Sequence, residues 1–248
     1  MFFKILFGLS IFAEFFTVPV FLKYYWPKKC KQSLLFKMIS ATLFVICGYS
    51  AMKVAVNNTT YASLMLIGFV FGWFGDLLLH SLKDKMLHFA LGVVSFLVGH
   101  IFFIAAFHHA IKTLNPEASL FAWYEIVSVV VIITAVVIFG IFKKYYQKKG
   151  PLVFALLAYG VFLVTMFVKA MVYCGTEWMY GINDYMYPAI ITSGLGALFF
   201  LLSDGSLGLI LMGDETKRGM RIFNIVTYFI AQILLAVSIL FIRSQIMF

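Results

Sequence analysis

Charge is what this chain lacks most. Asp, Glu, Lys and Arg make up 12% of its 248 residues, against about 25% in a soluble domain. A soluble chain of this length could not cover its surface with so few. Cysteine is scarce as well. Cys30, Cys47 and Cys174 have no metal-ligand spacing and form no disulfide framework, and the last two lie in apolar stretches as packing residues. The five histidines are scattered without HExxH-type spacing, and no GxSxG, Walker A or Rossmann fingerprint is present. Nothing in these patterns calls for a metal or a cofactor.

What is present is apolar surface. The chain is 63% hydrophobic, with a mean hydropathy of +1.01. Runs of about 20 apolar residues, the length that crosses a bilayer, recur from end to end. They predict one all-α domain over residues 1–248, a polytopic membrane bundle of about eight transmembrane helices. The spans fall near 3–22, 34–54, 61–82, 86–108, 121–142, 151–173, 186–211 and 220–242. Lys4 followed by an apolar run resembles a signal peptide, but no small-residue cleavage site follows before Pro19, so this stretch reads as the first span.

The net charge of +9 would suggest nucleic acid on a soluble protein. Here the basic residues sit in short loops, so the partner is the lipid bilayer and not nucleic acid. Lys23, Lys28, Lys29 and Lys31 lie between spans 1 and 2, Lys83 and Lys85 between 3 and 4. Lys143, Lys144, Lys148 and Lys149 lie between 5 and 6, Lys217 and Arg218 between 7 and 8. The alternate loops hold Asn57 and Asn58, then Lys112 with Glu117, then Glu177 and Asp184. The odd loops are therefore expected in the cytoplasm and both termini on the other side. An endoplasmic reticulum membrane and a bacterial inner membrane both fit. The sequons in Asn57-Asn58-Thr59-Thr60 lie in a loop too short for use. Homo-oligomerisation is compatible with the sequence and is not specified by it.

Two carboxylates stand out against this background. Asp76 and Asp204 each lie inside an apolar span, where a charge costs about 2.5–3.5 kcal/mol on insertion scales and usually faces a bundle interior or a water-filled cavity. The plainer reading is that each is interfacial. At about 1.5 Å per residue, both lie roughly 8–10 Å inside the cytoplasmic boundary. Tyr159 and Tyr228 count as slightly deeper, Glu14 falls near the same level, and Lys37 opens span 2 at the edge. A cavity opening toward the cytoplasmic leaflet would gather this layer.

Asn224, Tyr228 and Gln232 form an i, i+4, i+8 polar stripe on span 8, suited to interhelical hydrogen bonds or to a site. His100 counts as deeper, past the midplane, and reads as a buried, hydrogen-bonded histidine. His80, His88, His108 and His109 read as interfacial, Lys169 as snorkelling, and Glu125 as solvated at the outer surface. Gly68, Gly72 and Asp76 share one helix face, where small residues allow close packing. A faint repeat links Gly68 to Asp76 at the end of span 3 with Gly196 to Asp204 at the end of span 7, with Ser203 before the second aspartate. It points to two parallel four-helix halves; the alternative is chance similarity of two Phe/Leu/Gly-rich helices.

Several of these residues recur together in a known family. Leu66 through Leu79, with Gly68, Gly72, Gly75 and Asp76, then Gly92, Phe96, Gly99, His100, Phe103 and Phe107, resemble the YhhN-like lysoplasmalogenase family. Tyr159 and Met166, then Gly196 to Phe200 with Ser203-Asp204, then Thr227-Tyr228-Phe229 and Ala231-Gln232 follow in the family's order. Lys37 matches the lysine that opens the family's second helix. The resemblance runs from about Lys37 to Gln232. Gly72 stands where the family usually has Ser, and Met38 where it often has Pro.

The resemblance implies an eight-helix enzyme that hydrolyses the vinyl ether bond of lysoplasmalogens, with a membrane lysophospholipid as substrate. The products would be a fatty aldehyde and glycerophosphocholine or glycerophosphoethanolamine. In such a reaction one carboxyl delivers a proton to carbon and the other stabilises the cation and orients water. Asp76 and Asp204 are the catalytic candidates, with either as the acid. Lys37, Tyr159, Tyr228, Gln232, His100, Ser203 and Asn224 are the binding or supporting candidates, Lys37 as a partner for the lipid phosphate or as a positive-inside anchor. A proton-coupled transporter or lipid scramblase would use the same buried aspartates, and a receptor or structural bundle would leave them merely paired.

Overall fold

The computed structural model describes residues 1–26, 29–55, 59–81, 86–144, 151–181, 184–212 and 217–242. Lys28, Asn57, Asn58, Lys83, Lys85, Lys148 and Lys149 lie outside these residues. Each apolar run becomes one helix because a backbone in hydrocarbon must satisfy its own hydrogen bonds. The helices are α1 (Phe2–Tyr25), α2 (Lys31–Val54), α3 (Thr59–Leu79), α4 (Met86–Leu114), α5 (Trp123–Phe142), α6 (Pro151–Tyr180), α7 (Met186–Met212) and α8 (Arg218–Phe241). All eight are long and apolar enough to cross a membrane. Among the described residues there is no strand.

Two helices run further than the sequence suggests. The apolar pattern predicts an end near 108 for the fourth span and near 173 for the sixth. Their ends away from the Lys-rich loops continue because protein covers them: Ala110 and Ile111 on α4 and Glu177 on α6 are buried.

The packing makes a closed ring in the order α2, α3, α4, α6, α7, α8 and back to α2. Helix α1 lies outside against α2 and touches α8, and α5 lies outside against α6 alone among the described residues. The adjacency repeats after four helices. Helix α1 covers α2 as α5 covers α6, α3 pairs with α4 as α7 pairs with α8, and α4 meets α6 as α8 meets α2.

Small residues set the tightest pairings. A Cβ at Gly99 of α4 would stand 3.1 Å from the Gly68 carbonyl oxygen of α3. One at Gly196 of α7 would stand 3.2 Å from the Leu235 backbone nitrogen of α8. Those backbones meet only because no side chain intervenes. Towards the end away from the Lys-rich loops the ring interior is filled by Tyr61, Met65, Phe103, Phe107 and Tyr173, all buried. Towards the Lys-rich end it is hollow.

Candidate active site

The hollow end is a cavity of about 240 Å³. Its walls are mostly apolar, from the starts of α4 and α6 and the ends of α5 and α7. Its polar lining comes from Lys37, Asp76, Tyr159, Ser203, Asp204, Asn224 and Tyr228. Polar residues from five helices thus reach one space at the depth the count of helical rises predicts.

Asp76, 1% exposed, sits one turn before the end of α3. Lys37 Nζ on α2 is 2.8 Å from its Oδ1, and the Tyr228 hydroxyl on α8 donates to its Oδ2 at 2.8 Å. The lysine ammonium lies 5.3–5.9 Å from the rings of Phe21, Tyr228 and Phe229, faces that favour a cation. Both oxygens of this carboxylate therefore have partners, one of them cationic.

Asp204 on α7 has a different set. The Tyr159 hydroxyl on α6 donates to its Oδ2, and His100 Nε2 on α4 lies 2.8 Å from the tyrosine oxygen and 3.6 Å from the carboxylate. A phenol has one proton. With that proton directed at Asp204, the Tyr159 oxygen accepts from His100 Nε2–H. His100 is fully buried, its ring edge-on to Phe200 at 5.0 Å. It was expected past the midplane, buried and hydrogen-bonded; its ring reaches the carboxylate layer.

The two clusters mirror one another. Each aspartate is on the third helix of its half, held by the second helix of that half and the fourth helix of the other. Lys37 and Tyr228 hold Asp76; Tyr159 and His100 hold Asp204.

Ser203 and Asn224 hold helices together. Ser203 Oγ donates to the Asn224 carbonyl at 3.0 Å, and Asn224 Nδ2 donates to the Ser203 carbonyl at 2.8 Å. These bonds fix α7 to α8 next to both carboxylates. Gln232 is fully buried one turn beyond Tyr228. Glu14 is buried on α1, where its Oε2 accepts from Thr17 at 3.2 Å and Thr17 accepts from Ser40 at 2.8 Å; it does not line the cavity.

Three charged or titratable residues differ from expectation. Glu125 and Lys169, read as solvated and snorkelling, form a buried pair with Nζ 2.5 Å from Oε2, and Lys169 also donates to the Leu120 carbonyl at 2.6 Å. The connection between α4 and α5 folds over them and excludes water. His80, read as interfacial, is 4% exposed just past α3, with Nε2 2.9 Å from Ser33 Oγ. Burial, aided by Lys37 and Lys29 nearby, pushes its imidazole down to about 3, so it is neutral at neutral pH.

The cavity wall on α5, formed by Ile133, Val136, Phe139 and Gly140, was not singled out from the sequence. Apolar residues that face a cavity look the same in sequence as those that face lipid. Among the described residues no three His, Cys, Asp or Glu side chains come together as a metal site would need.

The architecture defines a polytopic membrane protein with two carboxylates lining one mostly apolar cavity. A model of the YhhN family matches residues 32–239, and the chain belongs to that family. No curated protein and no solved structure matches it.

Proposed function

We propose that this chain is an intramembrane hydrolase that cleaves the vinyl ether bond of lysoplasmalogens. Family membership supports a lysoplasmalogenase-type activity. The observation that carries the reading is that two carboxylates with unlike partners, Lys37 and tyrosine at Asp76, tyrosine and histidine at Asp204, line one apolar cavity. The apolar walls suit an alkenyl chain, and the filled outer half of the ring suits a one-sided cavity rather than a path across the membrane.

Vinyl ether cleavage starts with a proton on the carbon remote from oxygen, giving an oxocarbenium ion. Asp204, which has no lysine beside it among the described residues, is the donor in this scheme. Asp76, paired with Lys37, is the anion that stabilises the cation, as a preorganised charge does in a water-poor site. Water adds to the cationic carbon and its proton goes to the Asp76 side. The hemiacetal then collapses. Asp76 returns a proton to the glycerol oxygen, Asp204 takes one from the hydroxyl, and both carboxyls recover their starting states. The products are a fatty aldehyde and the glycerophospho-alcohol.

The test is aldehyde release by purified protein in detergent from a vinyl-ether lysophospholipid and from its saturated alkyl-ether counterpart. Aldehyde is expected from the vinyl ether alone. Asp76→Asn and Asp204→Asn should each lower turnover by about 10²–10⁴, the range for a lost acid–base group. Near-normal turnover in both folded variants would sink this assignment.

A further inference from the structure

One row of residues on α7 faces away from the bundle. Ile191, Leu195, Leu198, Leu202, Gly205 and Leu209 recur at steps of three or four, and all are exposed. Every member is a large apolar residue except Gly205. A glycine inside a helix weakens it relative to alanine, so this one needs a cause. Gly99 and Gly196 have one, since their bare backbones let helices meet. Gly205 has none of that kind: it lies in regular helix, its φ is not positive, and a Cβ there would meet nothing within 4 Å. Its position is what sets it apart. Gly205 and Leu209 are the members of the row that also line the cavity. The cavity therefore reaches the outward surface of α7 where the row lacks a side chain, beside Asp204.

Helix α5 forms the other edge. Val136 and Phe139 are exposed and line the same cavity, yet among the described residues α5 packs against α6 and not against α7. A gap with apolar walls thus lies between α5 and α7. The α4 side differs. Phe89, Val93 and Phe96 line the cavity there and none is exposed, whereas the exposed Leu87, Leu91 and Val94 lie outside it. We propose that the gap between α5 and α7 is a lateral portal through which the hydrocarbon chain of the substrate enters from the bilayer, with Gly205 as the notch that the chain crosses. The inference rests on the hydrolase reading and deepens it. The substrate is a lipid drawn from the plane of the membrane, and its chain occupies the gap while its vinyl ether reaches Asp76 and Asp204. Gly208, one turn nearer the Lys-rich end, lines the cavity and also has nothing within 4 Å of a Cβ position, which widens the passage. A chain that passes from lipid to an apolar cavity through an apolar gap never exposes its surface to water, so entry carries no hydrophobic cost.

Gly205→Leu completes the apolar row across the notch, and the open space around residue 205 leaves room for the new side chain. The full-length protein is assayed in lipid nanodiscs with two vinyl-ether lysophospholipids, one long-chained and one with a chain too short to cross the notch. Thermal unfolding confirms the fold. Gly205→Leu is expected to lower kcat/KM for the long chain by about 10-fold or more, the scale on which a pocket discriminates by a single methylene, and to leave the short chain near wild type. Leu202→Phe, on the same row but outside the cavity, should change neither. A second readout needs no turnover. With Cys30, Cys47 and Cys174 replaced by serine, a bimane on Leu209→Cys should be quenched saturably by a saturated alkyl-ether lysophospholipid carrying a spin label in its chain. Excess unlabelled lipid should relieve that quenching, and Gly205→Leu should abolish it. A bimane on Leu195→Cys should show only the linear quenching of the bulk bilayer.

Equal losses on both chain lengths in folded Gly205→Leu would put the damage at Asp204 and overturn the portal while leaving the hydrolase reading intact. So would wild-type kinetics on the long chain. No aldehyde from folded wild-type protein would remove the hydrolase reading; saturable quenching at residue 209 would then still support a lipid chain in the gap, and its absence would remove the portal as well.

Discussion

Lys37 has two jobs open to it: holding a lipid phosphate or balancing Asp76. Its ammonium is 2.8 Å from the carboxylate and surrounded by three aromatic rings, which favours the second. The two jobs separate kinetically. Loss of a headgroup contact raises KM, whereas loss of a charge that matters only as the cation forms lowers kcat. Lys37→Met should therefore lower kcat by about 10²-fold, the scale of one preorganised electrostatic contact, with little change in KM, read from initial rates of aldehyde release over a range of substrate. A raised KM at normal kcat would return Lys37 to the phosphate. At this scale much of the site was legible. A carboxylate inside an apolar helix is conspicuous whatever surrounds it, and Asp76, Asp204, Tyr159 and Tyr228 meet at the depth that helical rise assigns them. His100 was set too deep because the count uses Cα positions alone. Side chains lean toward the N-terminus of their helix. On α4, which starts at the Lys-rich end, His100 leans toward that end; on α7, which finishes there, Asp204 leans away from it. The two side chains close the gap that the count leaves between their backbones.

Among the helices, α5 shows what a sequence conceals. Its residues are apolar on every side, which fits contact with lipid, and Glu125 is the one buried residue described on it. Yet its inner face closes the cavity, and among the described residues it reaches the bundle only through α6. The buried Lys169–Glu125 pair, with Lys169 also bound to the Leu120 carbonyl, fastens its N-terminal end. No periodicity signals this, because the pairing joins residues 44 apart in sequence through a loop whose fold the apolar pattern does not specify. Removing one member leaves the other charged and buried. Lys169→Met should therefore destabilise the protein by about 3–5 kcal/mol, and the double variant Lys169→Met with Glu125→Leu should recover most of it. Unfolding in detergent measures both. If the single and double variants are equally unstable, the loss comes from packing and not from the stranded carboxylate.

Across the whole molecule the repeat, the cavity and the loop charges share one direction. Spans four apart run the same way, so Asp76 and Asp204 come to the same end of the bundle, and the adjacency of helices repeats with them. At that end the described basic residues include Lys23, Lys29, Lys31, Lys143, Lys144, Lys217, Arg218 and Arg221; at the other end Lys4, Lys53 and Lys112 share the surface with Glu117 and Asp184. Lys and Arg in short loops are retained in the cytoplasm, so the cavity should open toward the cytoplasmic leaflet and both termini should lie across the membrane from it. Single cysteines test this once Cys30, Cys47 and Cys174 are replaced by serine. In sealed vesicles with the cytoplasmic face outward an impermeant maleimide should label Lys217→Cys and leave Glu117→Cys unlabelled until the membrane is opened. The reverse pattern would put the cavity, and release of any water-soluble product, on the opposite side. Because the carboxylates, the basic loops and the hollow end of the ring are fixed to one another by the fold, one labelling result orients all three.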